Sequence, residues 1–327
     1  METRTRKPQT IVVGCGVSGL TCGIRLLEKD FPVTIFAREL PPYTTSDVAA
    51  AVWYPYRANP IERVLKWGSI TLDEFYRLMD YPESGVHAVM FVALFEQQEP
   101  DPEWKSAVRF FRRMFASELP SGYRDGYLIE VPLIETPVYM QYLMARFRQL
   151  GGQIEQKTVT KISDLYQKSR LIVNCSGIGG RKLVDDNELY PIRGQIIRVK
   201  ALDIKQCLVD EAGGLALTYI IPRSQDCILG GTAEENNWSL EVNHDTSREI
   251  LRKCKQLAPT LENIEILQHL VGLRPGRKEV RLQIEKVFEQ CSVIHNYGHG
   301  GAGFTLSWGC AEEVVELAEN FREELES

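Results

Sequence analysis

One turn near the N-terminus constrains this chain more than any other feature. Ile11-Val12-Val13 reads as a short buried strand, and Gly14-Cys15-Gly16-Val17-Ser18-Gly19 follows it directly. Leu20, Ile24 and Leu27 then recur at helical spacing over 18–29, and 32–36 supplies a second strand. In such a strand–turn–helix unit the glycines allow a tight turn, backbone approach to a pyrophosphate, and close helix–strand packing. The unit predicts a doubly wound α/β domain that binds a dinucleotide. An acid on the ribose is expected where the second strand ends, at Phe36-Ala37-Arg38-Glu39. Glu39 suits ribose hydroxyls, whereas Arg38 suits the extra phosphate of NADP. Both readings stay open.

A second glycine turn lies near the other end. An apolar segment, 291–294, leads into His295-Asn296-Tyr297-Gly298-His299-Gly300-Gly301-Ala302-Gly303-Phe304-Thr305, with four glycines between 298 and 303. Apolar positions at helical spacing follow over 311–318. A strand, an open turn and a helix aim the helix's unsatisfied N–H groups at a bound group. The first turn already claims the pyrophosphate, so this one is free for the cofactor's other end.

The 327 residues suit two domains. A net charge of −6 argues against a nucleic-acid surface, which wants clustered positive charge. No apolar run reaches the ~18 residues of a membrane span. The eight cysteines contain no Cys-x-x-Cys and are expected to be reduced and buried. The basic start, 1–10, reads as a tail rather than a signal peptide, and Glu-Leu-Glu-Ser at the end is no peroxisomal address. These features point to the cytoplasm. A homodimer is compatible with the sequence but not legible in it.

Periodicity predicts a helix over 59–80 and strands over 86–95 and 127–133. Thr136 then reads as an N-cap, with Pro137 in the first turn of a helix to about 150. Strands are expected over 157–161 and 171–174, the latter ending in Cys175-Ser176-Gly177 like a strand that covers a dinucleotide. Further strands are expected over 194–199, 216–221 and 227–231, with a helix over 246–257. The expected architecture is α/β. A Rossmann-like cofactor domain is assembled from 1–53, 136–190 and 265–327. A second domain, 54–135 and 191–264, holds a mixed, largely antiparallel sheet.

Between these elements lie several candidates for chemistry. Thr44-Thr45-Ser46-Asp47-Val48-Ala49-Ala50-Ala51 is either an Asp-capped helical turn or a second phosphate contact, with small residues against a flat ring. Arg274, with apolar neighbours and a following proline, suits a ligand role, whereas Arg277 and Arg281 suit surface salt bridges. Tyr219 alone reads as a core tyrosine. His295 and His299 are separated by glycines that disfavour a helical metal pair, so no metal is expected.

Taken in order, Gly14-x-Gly16-x-x-Gly19, residues 44–50, Arg193-Gly194-Gln195, Tyr219-Ile220-Ile221-Pro222, Gly272-Leu273-Arg274-Pro275 and residues 295–301 resemble the D-amino-acid oxidase family over nearly the whole chain. The resemblance implies non-covalent FAD. It places Gly14, Gly16, Val17 and Gly19 on the pyrophosphate, Arg38 or Glu39 on the ribose, and Val159 and Ser176 on the adenosine half. Thr44, Thr45, Ala50 and Ala51 would line the flavin, with Gly300, Gly301, Ala302, Gly303, Phe304 and Thr305 beneath its pyrimidine edge. Arg274 would take the substrate carboxylate in a bidentate fork with help from Tyr219, and the Gly301 carbonyl would take the amine. Tyr54 and Leu215 would complete the pocket.

Three departures from the family pattern stand out: Arg38 at the ribose position, Ala51 where a glycine is usual, and Leu215 where vertebrate members carry a lid tyrosine. The implied reaction removes hydride from Cα to flavin N5, with oxygen as acceptor. It yields a 2-oxo acid, ammonia and hydrogen peroxide without a general base. D-Aspartate oxidases, the alternative, tend to carry arginine at position 233, which is Ala here. With Val52, Tyr54 and Leu215 nearby and only Arg57 as a second cation, neutral, mainly apolar D-amino acids are the expected substrates. An NADP-dependent reductase is the more distant alternative.

Overall fold

Strand β1 (Thr10–Val13) is buried at every position, so it must have protein on both faces. In the computed structural model, which describes residues 9–55, 58–211, 218–261, 263–288 and 291–326, it lies inside a parallel sheet. Chain order continues with α1 (Val17–Glu28), β2 (Val33–Ala37), α2 (Thr45–Val48), α3 (Ile61–Leu78), β3 (Val86–Phe95), β4 (Phe110–Arg113) and β5 (Asp125–Ile134). Then come α4 (Thr136–Gln149), β6 (Gln153–Gln156), β7 (Leu171–Asn174), α5 (Gly180–Leu183), β8 (Tyr190–Lys200), β9 (Gln206–Asp210), β10 (Thr218–Pro222) and β11 (Asp226–Gly230). The chain closes with β12 (Glu234–Glu235), α6 (His244–Leu257), β13 (Ile266–Gly276), β14 (Arg281–Phe288), β15 (Cys291–Tyr297) and α7 (Gly303–Glu326).

The six-stranded sheet runs β14-β15-β7-β1-β2-β6, parallel except for the β14–β15 hairpin. Val12 packs into a core on one face, while Ile11 and Val13 pack on the other with Phe36, Ile172 and Val293. Helix α7 packs against α1 and α3. The contact with α3 is close because Gly309 has no Cβ, which would lie 2.2 Å from the Trp67 carbonyl.

The second sheet has nine strands in the order β12-β8-β11-β10-β9-β3-β5-β4, with β13 also on β8. Only β3–β9 is parallel, which matches the expected mixed, largely antiparallel sheet. One face packs against α6 through Ile197, Ile220, Leu229, Ile250 and Cys254.

Several local expectations change. Helix α7 starts at Gly303, ahead of the amphipathic stretch 311–318, because Phe304 to Ala311 is buried throughout and shows no polar face. The strand expected over 157–161 is instead β6, a polar edge strand without alternation. Glu135 rather than Thr136 occupies the N-cap of α4. Strand β13, within the segment expected in the cofactor unit, pairs along its length with β8 of the nine-stranded sheet. Among the described residues, no helix is long and apolar enough to cross a membrane.

Candidate active site

The first turn is built as its glycines demand. Gly14 has φ +110°, and a Cβ there would lie 2.4 Å from the Cys175 carbonyl at the end of β7. A Cβ on Gly19 would lie 2.0 Å from the Gly14 carbonyl. The first turn of α1 contains no acid, so its positive end is open to an anion. Val17 gives its N–H to Ser46 Oγ at 3.0 Å, which ties the turn to α2.

At the nucleotide end, Arg38 and Glu39 pair with each other on the surface, Nε to Oε1 at 3.1 Å. Val159 packs at the edge of the adjoining core. Ser176 donates from Oγ to Asn174 Oδ1 at 2.7 Å. Asn174 Nδ2 reaches His295 Nδ1 at 3.3 Å, and His295 Nε2 meets Glu285 at 3.1 Å.

The segment after Thr44 is the Asp-capped turn. Asp47 accepts from the Thr44 N–H at 2.9 Å and from its hydroxyl at 2.6 Å, so Thr44 is buried and committed while Thr45 is exposed. Burial raises the Asp47 carboxyl despite these bonds. Ala50 and Ala51 are half-buried, and Ala51 sits at φ +53° where an L-residue is strained. Ala51→Gly is therefore expected to stabilise the protein by about 0.5–1 kcal/mol. An unchanged urea midpoint would refute that strain.

The turn at 298–302 is held against the second sheet by Gly300 N–H, which donates to the Pro275 carbonyl at 2.8 Å, beside Arg274. Gly298 and Gly300 both have positive φ, and Gly301 is exposed. Ala302 and Phe304 bury their side chains, leaving backbone at the turn, and a Cβ on Gly303 would meet nothing within 4 Å. Thr305 Oγ1 accepts the Tyr54 N–H and donates to the Tyr54 carbonyl, each at 3.1 Å.

Arg274 and Tyr219, on different strands, are brought together on one sheet face. The Arg274 guanidinium lies across Gly194, where a Cβ would come 2.3 Å from Nη1, and Nη1 donates to the Thr232 carbonyl at 2.9 Å. The Tyr219 ring lies across Gly230 and Gly231, where added Cβ atoms would fall 2.1 and 2.9 Å from it. Burial raises the Tyr219 phenol, and the Arg274 cation and hydrogen bond oppose this. Sequence reasoning gave these glycines no role; a glycine inside a strand, which marks close approach, was the available signal.

Other expectations fall differently. The Tyr54 hydroxyl bonds Tyr127 at 2.7 Å and Glu211 at 2.8 Å, and its ring stacks on Phe91. Leu215 and Arg57 lie outside the described residues. Arg277 and Arg281 each pair with an exposed glutamate, Glu188 at 3.1 Å and Glu285 at 3.2 Å, but are themselves 16% exposed and also reach the buried Asp186, at 3.2 and 3.3 Å. Burial holds His299 and, with help from Arg281, His295 neutral, each pushed down to about 4. All eight cysteines are free and buried.

The glycine cradles, two helix starts without acids and the open face at Gly303 fit a long dinucleotide with an anionic centre. A family model described as FAD dependent oxidoreductase matches residues 9–317. The chain is 48% identical over 311 residues to a D-amino-acid oxidase of Rubrobacter xylanophilus, covering 95% of each. It is 35% identical over 321 residues to a human D-aspartate oxidase, covering 94% of this chain and 93% of the relative. Among solved structures, a glycine oxidase from Bacillus cereus superposes with a TM-score of 0.81 over 96% of this chain and 95% of that one; at 18% identity this speaks for the fold. The chain belongs to the D-amino-acid oxidase family of FAD-dependent oxidoreductases, and FAD is its cofactor.

Proposed function

We propose that this protein oxidatively deaminates neutral, mainly apolar D-amino acids to 2-oxo acids, ammonia and hydrogen peroxide. The observation that carries the reading is the Arg274–Tyr219 pair on its glycine floor, beside a turn tied to the same strand by Gly300. The named D-amino-acid oxidase relative supports the substrate class.

Arg274 offers a planar fork whose orientation is fixed by its bond to Thr232, suited to a bidentate carboxylate. Tyr219, its phenol raised by burial, stays protonated at neutral pH and donates to the same carboxylate. The Gly301 carbonyl takes the amine. With carboxylate and amine fixed, inverting Cα exchanges hydrogen and side chain, so only the D-enantiomer presents its hydrogen productively. When bound, FAD supplies the electron acceptor and passes electrons to oxygen.

No side chain need accept a proton if the amine enters neutral. His295 and His299 are engaged by Asn174, Glu285 and Asn296 instead. Gly14, Gly16, Val17 and Gly19 hold the pyrophosphate, with Arg38 or Glu39, Val159 and Ser176 on the adenosine side. Thr45, Ala50, Ala51 and the backbone of 300–305 flank the ring, while Thr44 supports them through Asp47. In this reading the six-stranded unit carries the cofactor, and the nine-stranded sheet, counting β13, carries the substrate. Reduced, buried cysteines favour a cytoplasmic location.

A visible spectrum with anaerobic titration tests the proposal. A peak near ~450 nm should be present and should bleach with D-leucine and D-valine but not L-leucine. Failure of every D-amino acid to bleach the peak would overturn the oxidase reading, and dominant D-aspartate turnover would overturn the neutral side-chain preference.

A further inference from the structure

The run Arg193-Gly194-Gln195 enters the site above only through its glycine. Side chains alternate along β8, so Arg193 and Gln195 project to the face opposite the one on which Arg274 lies. That far face is the one packed against α6, where Gln195 Nε2 donates to Ser247 Oγ at 2.9 Å. Arg193 and Gln195 are both buried, and a buried guanidinium is costly unless its donors are used. Here they are used on the segment that follows β11. Arg193 Nη1 bonds Glu234 Oε1 at 2.8 Å, and Nη2 bonds Gln195 Oε1 at 2.9 Å and the Glu241 carbonyl at 2.6 Å. Gln195 Nε2 also donates to the Asn243 carbonyl, at 2.7 Å.

Thr232 lies at the start of that segment, between β11 and β12. Its hydroxyl accepts the Gln195 N–H at 2.9 Å and points its own donor to the Arg193 carbonyl at 3.5 Å. One hydroxyl thus grips the backbone on both sides of Gly194. The carbonyl of the same residue accepts Arg274 Nη1 at 2.9 Å, and the guanidinium rests on Gly194. Arginine, floor and clip close into one ring of contacts. A shift of the clip therefore moves the arginine relative to its floor.

We propose that Thr232 is a positioning residue: its hydroxyl, braced from the far face of the sheet by Arg193 and Gln195, sets where its carbonyl holds the Arg274 fork. The angle at which the substrate carboxylate is received follows from that placement. The inference rests on the oxidase reading above. It gives the two polar members of the Arg193-Gly194-Gln195 run a task in the reaction although neither reaches the substrate face.

The test compares Thr232→Val, which keeps the shape and removes the hydroxyl, with Thr232→Ser, which keeps the hydroxyl, both as holoenzymes. A shift of a few tenths of an ångström at the fork predicts a fall in kcat/KM for D-leucine on the order of 10-fold in the valine variant. The inhibition constant of butanoate, a carboxylate without an amine, should rise by a similar factor. The serine variant should stay within about 3-fold of wild type in both measurements. In an Arg274→Leu background the valine change should add less than about 2-fold, since both act through one contact. Thr232→Ala, with the same expected signs, serves if the valine variant does not accumulate folded. A butanoate constant that does not move, equal losses with serine and valine, or full additivity with Arg274→Leu would overturn the proposal. A wild-type flavin that no D-amino acid reduces would instead sink the oxidase reading.

Discussion

Replacing Arg274 by leucine is expected to lower kcat/KM for D-leucine by on the order of 10³-fold, while the flavin spectrum stays intact. Removing one partner of a buried, hydrogen-bonded charge pair costs about 2–5 kcal/mol, which sets the scale. The same contact fixes which hydrogen faces the acceptor, so the loss should appear in kcat as well as KM. The guanidinium bonds the Thr232 carbonyl and Tyr219, neither of them in the cofactor cradles, so its removal leaves those cradles untouched. Stopped-flow reduction under anaerobic conditions checks this directly. Unchanged turnover would mean that substrate is held elsewhere.

Gly194→Ala should produce a milder version of the same defect by displacing the Arg274 fork while leaving every substrate-binding group in place chemically. The new Cβ would lie 2.3 Å from Arg274 Nη1 and 2.6 Å from Cζ, the far end of a flexible side chain, so the arginine moves and the strands need not. A displacement of about 1 Å at a positioning group costs roughly 10²-fold, and that is the expected fall in kcat/KM. Combined with Arg274→Leu it should add nothing further, since both changes act through one contact. Full additivity in that double variant would separate Gly194 from the site.

Features whose cause lies within a few residues were legible in the sequence. The turn at 14–19 declares itself because each glycine answers a local steric demand, and the structure repeats that demand at Cys175 and at Gly14 itself. Long amphipathic helices such as α3 were equally plain. The start of α7 was not, because a helix buried on all sides shows no period. Arg274 and Tyr219 meet through β8 and β11, and nothing near either residue says so without the sheet order. Arg277 and Arg281 showed only their surface pairing in the sequence, because Asp186, the buried partner they share, lies far away along the chain. Tyr54 was placed in the pocket by family likeness, yet its hydroxyl is spent on Tyr127 and Glu211.

The eight buried cysteines have a bearing on how long such an enzyme survives its own work. Each proposed turnover releases hydrogen peroxide, which attacks thiolates far faster than thiols. Burial pushes Cys15, Cys227 and Cys254 up to about 12, so almost none of each is ionised at neutral pH. With all eight sulfurs shielded from solvent, oxidant leaving the pocket meets no ready cysteine on the surface it must pass. The chain is rich in sulfur yet poorly exposed to sulfenylation, which makes it durable in the presence of its product.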